Sequence, residues 1–330
     1  MNTSPQTINL DLKDIIKPIS NEQILLNTFI IENLDSPIPL IKEIVAHILK
    51  GKGKRLRPLL VILSARACNY QEGDHHLRLA AIIEFVHTAT LLHDDVVDES
   101  KLRRGNSTAN SIWGNQASVL VGDFLYSRAF QLLTAVNNQT IMQILASTTN
   151  TIAEGEVLQL MNSQDASLSE EQYFDIIYRK TAKLFESSAK IGASLTNSKW
   201  QENMASFGKH LGICFQIVDD LLDYTASPQQ IGKNIGDDLA DGKMTLPLIY
   251  ALQQATTDDQ KIIRQAIKSK QTTQLTQIIQ IIQSTAAISK CKKIACQHAS
   301  LAKQALLELP DSVYKESLLN LVEFAASRSY

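Results

Sequence analysis

The chain has 330 residues, 44% hydrophobic and 20% charged, which supplies a full globular core and excludes a disordered chain. Its net charge of −2 excludes the basic excess of a nucleic-acid binder. With only 13 glycines and 8 prolines to interrupt it, long helices are expected.

The first twenty residues, MNTSPQTINLDLKDIIKPIS, lack a basic region followed by an apolar core and do not read as a signal peptide. No apolar run approaches the ~20 residues that cross a bilayer. A cytoplasmic protein is expected, with peripheral membrane contact left open. NEQILLNTFIIENL and IPLIKEIVAHILKG read as amphipathic helices, the second stopped by Gly51 and Gly53. RPLLVILSARACN is more apolar and reads as buried. HLRLAAIIEFVHTATLLHDDVVDE reads as one long helix, and KLRRGNSTAN as a loop. Helices are predicted over 117–136 and 139–161. NSQDASLS is a turn, and Ser169 with Gln172 fits a capping box for the next helix. YFDIIYRKTAKLFESSAKIGASL and MASFGKHLGICFQIVDDLLDYT continue the pattern. TASPQQIGKNIGDDLADGKMT is the longest irregular stretch, and helices resume from TLPLIYALQQA onward. No alternating strand block and no 20–50-residue repeat appears. The expectation is an all-α single domain over residues 1–330, a helical bundle around a central cavity.

Cys68, Cys214, Cys291 and Cys296 form no C-x-x-C pair, and a reduced compartment with buried thiols is expected. GDDLADGK is not a phosphate-binding P-loop. Five residues, not four, separate Gly236 from Gly242, Met244 follows Lys243, and no strand precedes it.

Two acidic clusters share one spacing: Asp94-Asp95-x-x-Asp98 and Asp219-Asp220-x-x-Asp223. On a helix, positions i and i+4 share a face, so Asp94 projects with Asp98 and Asp219 with Asp223. A single such cluster is usually a solvated face. Here both sit among aliphatics, LLHDDVV and IVDDLLD, where uncompensated charge is costly. Hard cations would hold the two faces together, and Mg²⁺ bound by carboxylates with substrate phosphate completing its shell is the fitting case. Basic residues lie beside both clusters: Lys54, Arg55 and Arg57, then Arg103 and Arg104, Lys180, Lys233 and Lys243. Cations on one side and metal ions on the other would clamp a diphosphate. His87 lies two helical turns before Asp94 on nearly the same face, which favours a ligand contact over an inert core histidine. Glu154 and Glu156 are acids within an apolar helix, and the pattern assigns them no role.

The segments GKGKRLRP, EFVHTATLLHDDVVDESKLRRG, LVGDFLYSRAF, AEGEVLQL, YRKTAKLFE, FQIVDDLLDY and IGKNIGDDLADGKMTLPL resemble the successive signatures of the trans-isoprenyl (polyprenyl) diphosphate synthases, from about residue 51 to 250. The likeness is to the long-chain members that make quinone side chains. One small departure is Gly51-Lys52-Gly53-Lys54-Arg55 where the family has Gly-Gly-Lys-Arg. The resemblance implies that Asp94, Asp95, Asp98, Asp219, Asp220 and Asp223 hold about three Mg²⁺ ions on an allylic diphosphate. It implies that Arg103, Lys180, Thr181, Gln216, Lys233 and Lys243 assist there. Lys54, Arg57, His87 and Arg104 would bind the diphosphate of isopentenyl diphosphate. The allylic C–O bond would break, the second substrate's double bond would attack the cation, and the released diphosphate would take the proton, so no protein base is named.

The resemblance also places the growing tail past Ala89 and Thr90, five and four residues before the first aspartate. Both are small, which leaves the tunnel open, with Val86 one turn below and Leu133 and Leu145 as candidate floor residues. Plain core positions are the competing reading for each. A product near eight isoprene units and a homodimer are expected. The rivals are a shorter- or longer-chain synthase and a non-catalytic regulatory subunit, which would be expected to lose aspartates or the basic clamp.

Overall fold

Helix follows the apolar spacing through nearly the whole chain. The computed structural model describes residues 11–51, 53–103, 105–196, 199–225 and 236–327. The N-terminal part comprises α1 (Leu12–Ile16), a 3₁₀ turn, α2 (Ser20–Asn33) and α3 (Pro39–Lys50), which Gly51 ends as expected. Then come α4 (Leu56–Ala67) and α5 (His75–Val97), the latter a single helix through the first acidic cluster with Asp98 as its C-cap. After α6 (Ala109–Trp113), the pair α7 (Asn115–Val136) and α8 (Gln139–Met161) falls where the periodicity predicts it. Ser169 and Gln172 close the expected capping box on α9 (Glu170–Ile177). Next are α10 (Lys183–Ser194) and α11 (Gln201–Thr225), which carries the second cluster. The rest comprises α12 (Asp237–Ala240), α13 (Leu246–Gln254), α14 (Thr257–Ser269), α15 (Leu275–Ser284), α16 (Ala287–Ala305) and α17 (Val313–Ala326).

The apolar run of α4 is the centre of the bundle. Leu59, Leu60, Val61, Ile62 and Leu63 are at most 1% exposed, and one continuous set of buried side chains runs from Ile15 to Ala325. A helix apolar on every side can be stable only when surrounded.

Four details depart from the sequence expectation. KLRRGNSTAN contains a two-stranded antiparallel ribbon, β1 (Leu102–Arg103) with β2 (Asn106–Ser107), turned through Gly105 at φ +77°. The helix predicted through YRKTAK is interrupted by a π-turn at Tyr178–Ala182. Its position follows from packing: a Cβ at Gly155 of α8 would stand 2.7 Å from Arg179 Cβ, and one at Gly212 of α11 would stand 2.6 Å from Ala182 Cα. Both neighbours press on this turn at a distance only glycine permits, and π-turns of this kind recur at functional sites. Cys296 is exposed, while the other three thiols are buried as expected. Among the described residues, α7 alone has the length and composition of a membrane span; it is seated in the bundle through Val121, Leu125, Ala129 and Leu133.

Candidate active site

Both acidic clusters occupy the last turns of their helices, α5 and α11. The macrodipole is negative there, so six carboxylates add to a field that already repels them. The fold compensates with cations drawn from elsewhere in the chain.

In the first cluster each aspartate has its own basic neighbour. Lys180 Nζ lies 3.7 Å from Asp94 Oδ2. Arg103 places Nη2 at 2.6 Å and Nε at 2.7 Å from Asp95 Oδ1, because the ribbon turns β1 back toward the helix end. Lys243 Nζ lies 3.0 Å from Asp98 Oδ2 and 2.7 Å from Asp241 Oδ2. Burial raises the Asp94 carboxyl above the usual range against the pull of Lys180, and burial raises Asp95 against Arg103. Burial disfavours the charge on Lys243, but Asp98, Asp238 and Asp241 outweigh it and leave the ammonium more firmly protonated than usual.

In the second cluster Asp220 is buried and held at both oxygens. The Tyr173 hydroxyl donates to Oδ2 at 2.6 Å and Gln216 Nε2 donates to Oδ1 at 2.7 Å. Thr181 donates its hydroxyl to Gln216 Oε1 at 2.8 Å, so the π-turn fixes the amide that fixes the aspartate. Burial, then the charge of Asp238, pushes Asp220 well above the usual carboxylate range. Asp223 Oδ2 accepts the Asp238 amide at 3.2 Å. Asp94, Asp98 and Asp219 keep part of their surface open, whereas Asp95, Asp220 and Asp223 are buried.

Of the residues expected at the second subsite, Arg57 at the start of α4 and His87 on α5 are brought together. Arg57 Nη1 lies 3.0 Å from His87 Nε2, and the guanidinium sits 4.5 Å above the Phe185 ring. Arginine is always a donor, so His87 accepts at Nε2 and carries its proton on Nδ1. Lys54 lies 4.7 Å over the Phe324 ring. Arg55, at φ +46°, ties to Asn27 and, at 3.6 Å, to Glu84. Lys233 and Arg104 lie outside the described residues. Val86, Ala89, Leu133 and Leu145 are buried in the common core, and Thr90, half-buried, donates to the His87 carbonyl at 2.8 Å.

Two residues of this site carried no assignment from the sequence. Glu156 lies 2.5 Å from Lys180 Nζ, and Tyr173 grips Asp220. The signal for Glu156 was an acid on an apolar helix. For Tyr173 it was a position seven residues, two turns, before Lys180.

The donor set suits a hard cation. Among the described residues no three Asp, Glu, His or Cys side chains converge into a closed metal cage. Mg²⁺ rarely uses one; it takes one or two carboxylates and fills its shell with water and substrate phosphate. Partly open carboxylates on two helix ends, with lysines beside the first, fit that ion and an anionic substrate together.

The polyprenyl synthetase family model matches residues 38–285. The chain is 43% identical over 322 residues to octaprenyl diphosphate synthase of Escherichia coli, covering 97% of this chain and 99% of that one. It is 44% identical over 321 residues to all-trans-nonaprenyl-diphosphate synthase (geranyl-diphosphate specific) of Rhodobacter capsulatus, covering 97% and 99%. Its fold matches the polyprenyl synthase of Caulobacter crescentus, solved with calcium and isoprenyl diphosphate, at TM-score 0.92 and 39% identity over 96% of this chain and 98% of that one. Two carboxylate faces, the first with its basic counter-charges, on a fold shared at this identity over nearly the full length, lead to one conclusion: the chain belongs to the polyprenyl synthetase family and is a prenyltransferase.

Proposed function

We propose that the protein is a Mg²⁺-dependent long-chain trans-polyprenyl diphosphate synthase. It condenses isopentenyl diphosphate repeatedly onto an allylic diphosphate, farnesyl diphosphate in the first instance, to about eight isoprene units for quinone side chains. The observation that carries this reading is the placement of Lys180 and Lys243 beside Asp94 and Asp98, with Lys243 also facing Asp238, whose amide donates to Asp223 of the second cluster. The Caulobacter relative, solved with calcium and isoprenyl diphosphate, supports the binding of a divalent cation and of a prenyl diphosphate.

Bound Mg²⁺ would supply electrophilic stabilisation of the departing diphosphate. Asp94, Asp98 and Asp219, which keep part of their surface open, would hold it, Asp98 beside its Lys243 partner, with Asp95, Asp220 and Asp223 fixing the helix ends behind them; three ions is the family expectation. Lys180, Lys243, Arg103 and Lys233 would take further phosphate charge, with Thr181 and Gln216 keeping Asp220 in place. Lys54, Arg57, His87 and Arg104 would hold the second diphosphate, which orients the attacking double bond. The tail would extend along Ala89 and Thr90 toward Leu133 and Leu145.

The single domain would span residues 1–330, supported by the continuous core. A homodimer is part of the reading: Leu120 on α7 is 67% exposed, and Val119, Ile112 and Val97 are further exposed apolar side chains of α7, α6 and α5 that a second copy could cover. Four free thiols, three of them buried, support a cytoplasmic setting. Brief contact with a membrane surface would suit release of so apolar a product.

The nonaprenyl relative at 44% identity favours a second reading, a product one unit longer. A regulatory subunit is disfavoured because all six aspartates and the basic residues of the expected clamp are present. Purified protein incubated with farnesyl diphosphate, labelled isopentenyl diphosphate and Mg²⁺ should yield products of eight units by chromatography. Products of only three or four units, or none, would overturn the long-chain assignment.

A further inference from the structure

Glu154 and Glu156 flank Gly155 on α8, opposite Arg179 and Lys180 of the π-turn. Arg179 Nη1 meets Glu154 Oε2 at 2.8 Å, and Lys180 Nζ meets Glu156 Oε2 at 2.5 Å. The two pairs differ in setting. The first is open to solvent, with side chains 33% and 53% exposed; the second is more enclosed, at 21% and 29%. A Cβ on Gly155 would come within 2.9 Å of the Lys180 amide nitrogen, so this glycine lets Glu156 reach the lysine.

Lys180 thus stands between two carboxylates that compete for one ammonium. It sits on Glu156 and stops 3.7 Å short of Asp94. Attraction between unit charges rises as distance falls and as water is excluded, so whichever carboxylate lacks a rival captures the ammonium. With Glu156 neutral, Asp94 would be that carboxylate, and a direct ion pair would occupy an oxygen the cation needs.

We propose that Glu156 is a positioning residue that draws Lys180 off Asp94 and so keeps Asp94 open to a divalent cation carrying a diphosphate. This rests on the metal-diphosphate reading of the cavity. Lys180 remains close enough to meet a phosphate oxygen once the anion is present. The acid in AEGEV therefore acts on the cation site through the lysine, without touching substrate.

The test is calorimetric titration of Mg²⁺ with inorganic pyrophosphate into wild type, Glu156→Gln, Glu156→Asp, Lys180→Met and the Glu156→Gln/Lys180→Met double variant. Glu156→Gln should weaken Mg²⁺-pyrophosphate binding roughly three- to tenfold, the scale of a partly exposed ion pair. It should raise the half-saturating Mg²⁺ in turnover assays by a similar factor, with kcat at saturating Mg²⁺ less affected. Glu156→Asp should keep most of the affinity. In the Lys180→Met background, Glu156→Gln should cause no further loss. Wild-type affinity in Glu156→Gln, or an equal loss with and without Lys180, would overturn the inference while leaving the cavity's function intact. If wild type itself fails to bind Mg²⁺-pyrophosphate, the proposed function falls and this inference with it.

Discussion

Lys243 Nζ lies 3.0 Å from Asp98 Oδ2, although the two residues are 145 positions apart in the chain. The contact joins the segment after the second acidic cluster to the end of α5. The loop after α8 holds that segment, with the Gln164 amide donating to the Gly242 carbonyl at 2.9 Å. Lys243 neutralises Asp98 and Asp241 and faces Asp238.

Lys243→Met should therefore leave these carboxylates repelling one another. The side chain is 21% exposed, so the loss should fall below that of a fully buried pair, at about 1–3 kcal/mol. Thermal unfolding followed by circular dichroism should show a lowered midpoint in EDTA and partial recovery in Mg²⁺. An unchanged midpoint in EDTA would contradict the compensating role.

The helices and the two acidic faces were legible in the sequence because each depends on spacing within one segment. The 3.6-residue period fixed α5 and α11, and the i, i+4 relation fixed which aspartates project together. Glu156 and Tyr173 were not legible, because their partners lie 24 and 47 residues away on other helices. The π-turn has no periodic signature of its own; Gly155 and Gly212, on two other helices, set its place. The ribbon at 102–107 has two residues per strand, too few for alternation to register. Arg55 reads as one more cation in a basic run, yet its backbone is left-handed and its side chain ties to Glu84.

Acid stability should report on His76. It is 2% exposed beside Arg66 Nη2 at 3.3 Å, and burial, then the Arg66 charge, lowers its pKa from 6.5 to about 4. The unfolded chain binds this proton below pH 6.5, the folded chain only below about 4. The contribution is thus present above 6.5 and is lost as pH falls through that window. Between pH 7 and 4 the stability advantage of wild type over His76→Gln should shrink by up to about 3 kcal/mol. Urea unfolding at both pH values checks this, and a constant difference would contradict it.

The two diphosphate subsites should separate kinetically. Arg57→Ala or His87→Ala removes one charge-assisted contact beside Phe185. The KM for isopentenyl diphosphate should rise about ten- to a hundredfold, with that for the allylic substrate little changed. Lys233→Ala should act mainly on the allylic substrate. Equal effects on both substrates in every variant would refute the partition.

Product length should respond to side-chain volume along the expected tunnel. Ala89 is fully buried, so Ala89→Tyr forces a ring into closed space and should shorten the product to about three or four units. Leu145→Ala removes volume from a fully buried position and should lengthen it. Mass spectrometry of the products at saturating isopentenyl diphosphate reads both. An Ala89→Tyr protein that still makes the long product would remove Ala89 from the tunnel wall.

The central claim is that the two acidic helix ends hold a divalent cation and a diphosphate for chain elongation. Its most direct test is incorporation of labelled isopentenyl diphosphate by wild type and Asp219→Asn, each in Mg²⁺ and in EDTA. Wild type should be active in Mg²⁺ and silent in EDTA. Asp219→Asn should lose at least about a hundredfold in turnover, about 2.7 kcal/mol of barrier, with its helical circular dichroism intact. Turnover that survives EDTA, or Asp219→Asn at the wild-type rate, would contradict the account.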